Sequence, residues 1–137
     1  MTRRRVPVPM RWADQDPFQH VNNAAFLTYL EQARVEIFFS DASGEGITTL
    51  SEGVVVVRHE IDYKRPVVYS NRPLIIECWI SQLRAASYQV DYLVYDGETL
   101  VVTANSLLAT YDIQAARPRR ILPEERAYLE RFLDSDD

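Results

Sequence analysis

The chain predicts an α+β fold in which an antiparallel sheet wraps one long central helix, and three observations carry that prediction. Residues 22–40 are apolar on most of their helical faces. Four segments of strand character then follow one another with no long helix between them. The 137 residues hold no repeat, linker or low-complexity stretch, so 1–137 reads as a single domain. A helix that cannot solvate any wide face has to be surrounded by protein, and successive strands joined by short turns supply the wrapping as an antiparallel sheet.

The elements follow in order. Residues 3–12 form a first strand with Val6, Val8 and Met10 alternating, and Pro7 and Pro9 confine it to an edge or an irregular piece. Pro17 stops its extension. The helix over 22–40 takes Asn22 or Asn23 as its N-cap, and Phe26, Leu30, Ala33 and Ile37 make its stripe, widened by Leu27, Tyr29, Val35 and Phe38. Residues 41–53 are polar and contain glycine, which predicts a loop. The strands are then 54–68, 74–83, 87–95 and 99–111. The first of them sets Val57, His59, Ile61 and Tyr63 on one face, and Asp96-Gly97 marks a hairpin before the last. Pro123 opens a short helix to about residue 133. The outer strands and the uncovered side of the helix favour dimerisation, because exposed edges and large apolar patches are normally paired or covered.

Composition narrows the function classes. A chain of this length buries roughly two-thirds of its unfolded surface, so no metal or disulfide is needed to hold it. Cys78 is the sole cysteine, which excludes an internal disulfide, fits a reducing compartment and makes the chain cytoplasmic in expectation. With two histidines beside that cysteine, no zinc cluster is expected. The net charge of −5 argues against an extended nucleic-acid footprint. Arg3-Arg4-Arg5 is followed by no apolar h-region, and no stretch approaches the ~20 apolar residues of a membrane span. Gly-x-Ser-x-Gly, phosphate-loop and dinucleotide fingerprints are absent from the sequence.

The chemistry concentrates in Asp14-Gln15-Asp16-Pro17-Phe18-Gln19-His20-Val21-Asn22-Asn23, just ahead of the helix. Orphan N–H groups and the macrodipole at a helix N-terminus stabilise negative charge, which suits activating water and holding a developing oxyanion. The backbone N–H groups of Val21, Asn22 and Asn23 are the expected oxyanion donors. Asp14 reads as structural, paired with Arg11, and Glu31 and Arg34 as a pair with each other or across a dimer interface. His59 reads as a satisfied structural histidine. Cys78, alternating with Leu74, Ile76 and Ile80, reads as core.

Asp14-x-Asp16-x-x-x-His20-Val21-Asn22-Asn23, with Glu31-x-x-Arg34, Tyr63-Lys64-Arg65-Pro66-Val67 and Arg84-x-x-Ser87, resembles the hotdog-fold thioesterases. The likeness is to the 4-hydroxybenzoyl-CoA thioesterase-like and acyl-CoA thioesterase branch, with a motif also seen in plant acyl-carrier-protein thioesterases. It implies a hotdog fold, no cofactor, and hydrolysis of an acyl-CoA to a free carboxylic acid and coenzyme A. Asp16 would be the catalytic carboxylate, as general base or as nucleophile. His20 would bind the thioester carbonyl or orient water, or else be locked to backbone. Phe18 stands where the plant enzymes have an asparagine, which favours Asp16 with water. Lys64, Arg65, Arg84 and Ser87 would hold the phosphates of coenzyme A. A homodimer or homotetramer is implied. Two rival readings stay open: a thioesterase acting on acyl carrier protein, and a non-catalytic hotdog protein that binds acyl thioesters.

Overall fold

The computed structural model describes residues 2–134. Its sheet runs in the order β1–β3–β4–β5–β2, all antiparallel, with β1 at Arg4–Val8, β2 at Val54–Tyr63, β3 at Leu74–Leu83, β4 at Ser87–Asp96 and β5 at Thr99–Asp112. A short β6, Arg117–Pro118, folds back on the end of β5. The central helix begins as an α-helix at Ala25–Arg34, widens into a π-helical stretch at Val35–Asp41, and ends with a last turn at Ala42–Gly44. This is the hotdog fold the motif implied.

The core lies between the inner sheet face and this helix. Leu30, Ala33 and Ile37 share one buried cluster with Ile76, Cys78 and Ile80 of β3 and Tyr88, Val90 and Tyr92 of β4. Burial pushes the Cys78 thiol up to about 12, so it is packing and not a nucleophile. In the π-helical stretch the Ile37 carbonyl accepts the buried Tyr128 hydroxyl at 2.5 Å, which ties the C-terminal helix (Pro123–Glu130) to the centre of the molecule.

Several elements depart from expectation for local reasons. The central helix starts at Ala25, three residues late, because Asn22 Oδ1 accepts the Ala24 N–H at 2.9 Å and closes a turn first. It also runs past residue 40. The polar loop expected over 41–53 is largely ordered, with a 3₁₀ turn at Thr49–Glu52 and Leu50 fully buried. β2 ends at Tyr63 and not near 68. Lys64 and Arg65 both turn their N–H groups to the Val101 carbonyl, Pro66 has none to give, and the chain leaves the sheet. A β-bulge at Val57 reverses the alternation, so Val56, not Val57, shares the inner face with His59, Ile61 and Tyr63.

β1 is an edge strand, as its prolines require, but it ends at Val8 and not at residue 12; Val6, Val8 and, beyond the strand, Met10 are buried. The opposite edge is β2, which pairs only with β5 among the described strands and leaves Val55, Val56 and Val57 exposed. No described helix is long and apolar enough to cross a membrane.

Candidate active site

The motif loop is built on Asp14. Its carboxylate takes both Arg11 Nε (3.0 Å) and Nη2 (2.6 Å), and Oδ2 also accepts the buried Tyr29 hydroxyl at 2.7 Å. The Arg11 bond chiefly, with Tyr29 adding to it, holds Asp14 below the ordinary carboxylate range against the opposing effect of burial. Burial and then the bond to Asp14 push Tyr29 up to about 12. The Asp14 carbonyl accepts the Asn22 N–H at 2.8 Å, which closes the loop onto the start of the helix. Asp14 is therefore structural, in the Arg11 pair expected from the sequence.

Asp16 stands at the open side of this loop, half-buried. Its Oδ1 accepts the N–H groups of Phe18 (3.0 Å) and His20 (3.4 Å), and its carbonyl accepts the Gln19 N–H at 3.0 Å. Gln19 adopts φ 65°, the left-handed conformation that lets the chain reverse within three residues. Oδ2 of Asp16 takes no hydrogen bond from any described residue. One carboxylate oxygen is thus fixed by the backbone of its own turn, and Asp16 as a whole lines the cavity beside it.

That cavity, of about 340 Å³, is lined by Asp16, His20, Val21, Asn23, Phe26 and Tyr63, with Lys64 and Arg65 on its rim. Two bonds hold its walls together: Val21 N–H to the Val67 carbonyl at 2.8 Å, and the Tyr63 hydroxyl to the Asn23 carbonyl at 2.7 Å. The segment that leaves the sheet after Tyr63 is what covers the motif loop. The fold brings Asp16, His20, Asn23, Lys64 and Arg65 together.

Other candidates sit differently. The N–H groups of Val21 and Asn22 are already committed to Val67 and Asp14, so of the three expected oxyanion donors only that of Asn23 is unbonded among the described residues. Arg84 and Ser87 close the β3–β4 turn, where Arg84 N–H meets the Ser87 carbonyl at 2.8 Å. That turn is at the far end of the sheet from Lys64, a full strand away, roughly 30 Å at the usual rise. Within one chain they do not join the site. Arg119 forms a bidentate pair with the fully buried Glu125 (2.9 and 2.8 Å), which Thr49 also contacts at 2.6 Å. Burial pushes Glu125 up, but Arg119, Thr49 and the Leu122 N–H outweigh it and leave the carboxyl below its ordinary value. Glu31 and Arg34 form no ion pair with each other. His59 is satisfied, Nδ1 lying 2.7 Å from Ser106 Oγ. Among the described residues no group of three or more His, Cys, Asp or Glu is arranged to hold a metal.

Comparison with known proteins bears on the family and the fold. The family model of the thioesterase-like superfamily matches residues 10–129. Long-chain acyl-CoA thioesterase FadM of Escherichia coli (strain K12) is 31% identical over 132 residues, covering 94% of this chain and 98% of its own. A thioesterase from Thermus thermophilus, solved with coenzyme A and Zn, superposes with a TM-score of 0.76 at 28% identity, covering 93% of this chain and 92% of that one. A predicted thioesterase from Bacillus stearothermophilus reaches a TM-score of 0.87 at 18% identity over 98% and 99% of the two chains, a likeness of fold. The chain belongs to the thioesterase-like superfamily, as a hotdog-fold thioesterase.

Proposed function

We propose that this protein hydrolyses acyl-CoA thioesters to a carboxylic acid and coenzyme A, with Asp16 as the catalytic carboxylate. The observation that carries the reading is that Asp16, His20 and Asn23, whose N–H is unbonded among the described residues, line one cavity just ahead of the central helix. Phe18 and His20 N–H groups pin Oδ1, so Oδ2 is the oxygen that draws a proton from water or attacks the thioester carbon directly. The carbonyl oxygen turns toward the Asn23 N–H and the helix N-terminus, where charge developing on it is stabilised. The His20 side chain, on the same wall, holds the thioester carbonyl or the water.

Lys64 and Arg65 on the rim receive phosphate oxygens of the nucleotide. Both the relative FadM and the coenzyme A complex from Thermus thermophilus favour a coenzyme A ester as substrate. The net charge of −5 weighs against docking an acidic carrier protein. A homodimer is the proposed unit. β2 presents an unpaired edge with three exposed valines and neither proline nor lysine to blunt it, and a second β2 fits it. Antiparallel pairing of two β2 strands sets the Val54 end of one copy beside the Tyr63 end of the other. Arg84 and Ser87 of one copy then approach the other copy's rim. Two such dimers would make the tetramer.

Thiol release from benzoyl, hydroxybenzoyl, short and long aliphatic acyl-CoA esters tests the proposal. The wild type should turn over at least one ester. Asp16→Asn, which keeps the Oδ1 acceptor, should lose about 10²- to 10⁴-fold. Inactivity on every ester refutes the substrate class; activity indifferent to Asp16 refutes the site.

A further inference from the structure

The central helix and the start of β2 enclose a second cavity, of about 120 Å³, that no group assigned so far uses. Its walls include Phe38, Val56 and Leu108, yet Arg34 also lines it, and Arg34 is only 8% exposed. A guanidinium taken out of water is normally matched by a carboxylate, because its uncompensated charge is costly there. Among the described residues no carboxylate lies within ion-pair distance of Arg34. Its hydrogen bond goes to a neutral chain instead. Arg34 Nη1 donates to the Tyr92 hydroxyl (3.1 Å), which donates to Ser106 Oγ (2.9 Å), and Ser106 Oγ meets His59 Nδ1.

Every link of that chain is uncharged at neutral pH. Burial raises Tyr92 to about 12, and burial, then the Arg34 charge, hold His59 below its ordinary value. The relay fixes the guanidinium without neutralising it. Glu31 stands at the same cavity but is exposed, where solvent screens its charge far more than that of Arg34. Arg34 is thus the buried one of the two charged side chains that line the cavity.

This cavity and the Asp16 cavity are both walled by the central helix and by β2, the first at the Val54 end of that strand and the second at its Tyr63 end. Arg34 lines the first and Phe26 the second, eight residues or roughly 12 Å of helix apart. An antiparallel β2 pair also sets the Arg34 cavity of one copy toward the Asp16 cavity of the other. We propose that the Arg34 cavity receives the far end of the acyl group and selects an acyl chain that ends in a carboxylate. Arg34 is then a specificity-determining residue. The proposal rests on the acyl-thioester reading above.

The test uses coenzyme A esters of matched chain length ending in methyl, hydroxyl or carboxylate, with wild type, Arg34→Gln and Arg34→Lys. The readout is the ratio of kcat/KM for carboxylate-ended over methyl-ended esters. The wild type should favour the carboxylate. The ratio should fall by about 10²-fold in Arg34→Gln, the loss of a charged, buried contact, and recover in part in Arg34→Lys. Calorimetric binding of the same chains as non-hydrolysable thioethers gives the ratio without turnover, so a failure of the hydrolase reading is separable from a failure of this one. A wild type that favours the methyl-ended ester, or a ratio unchanged in a folded Arg34→Gln, overturns the proposal. So does an Arg34→Gln that only dissociates the dimer, since Arg34 would then be matched by a carboxylate of the second copy.

Discussion

Tyr29→Phe removes a single oxygen from beneath the motif loop, and the structure fixes what that should cost. The hydroxyl is buried, donates to Asp14 Oδ2 at 2.7 Å and accepts the Arg11 N–H at 3.4 Å. A hydrogen bond to a charged group contributes about 1.5–3 kcal/mol. Asp14 keeps both Arg11 contacts, so the loss should sit near the middle, about 2 kcal/mol. For a chain of this length that is a fall in Tm of roughly 5–10 °C. Thermal unfolding followed by circular dichroism measures it. The pH dependence supplies the control. Asp14 titrates below the ordinary carboxylate value in the folded chain, so its contribution is complete above that value and is lost as pH falls through the depressed one. The gap between wild type and Tyr29→Phe should therefore be widest at neutral pH and close in acid. A shift below about 0.5 kcal/mol, the scale of a neutral surface change, would refute the placement of Tyr29 as the anchor of the loop. A gap that is the same at every pH would refute the charged character of the bond.

Four further outcomes follow from the same structure. Glu125→Gln should cost about 3 kcal/mol in urea denaturation, the low end for breaking a buried pair, because Arg119 keeps 22% side-chain exposure and can reach water. Replacing both partners at once, as Arg119→Met with Glu125→Leu, should recover most of that loss. Wild-type stability should drop as pH falls below the ordinary carboxylate range, since Asp14 and Glu125 both titrate below it when folded; stability flat from neutral pH to about pH 3 would contradict both assignments. Lysines at Val55 and Val57 should halve the mass seen by light scattering without unfolding the chain, if β2 is the dimer edge.

Much of the fold was legible because its signals are periodic and local. The apolar stripe Phe26, Leu30, Ala33, Ile37 is buried to the last residue, and the alternation along β3 and β4 matches the inner face. What escaped were features set by contacts distant in sequence. No pattern announces that Val57 bulges out of β2, since four consecutive valines read equally well in either register. The end of β2 depends on the Val101 carbonyl, nearly forty residues on, which draws two N–H groups at once. The pairing of Arg119 is hidden in the sequence because its partner, Glu125, sits in a segment whose burial no pattern reveals. One local cue was available: Glu125 falls three residues after Leu122, and its carboxylate accepts the Leu122 N–H at 2.8 Å as in a capping box.

The site shows the same division, and its logic explains why the motif is compact. Asp14 and Asp16 are two residues apart and chemically identical, yet the fold gives them opposite surroundings. Asp14 faces inward and spends both oxygens on Arg11 and Tyr29, which makes it an anchor whose charge is fully compensated. Asp16 faces outward, and only Oδ1 is engaged, by two backbone N–H groups of its own turn. The 3₁₀ turn at Trp12–Asp14 ends between them, so Asp14 belongs to a turn packed on Tyr29 and Asp16 to the reversal that follows it. The sequence could not say which N–H groups remain for an oxyanion, because the partners that occupy those of Val21 and Asn22 come from Val67 and Asp14. Nor could it place Arg84 and Ser87, whose Arg-x-x-Ser spacing is satisfied by the β3–β4 turn itself. A short motif reports faithfully on groups whose geometry it closes internally. Groups that meet it from another strand, or from another copy of the chain, have to be found in three dimensions.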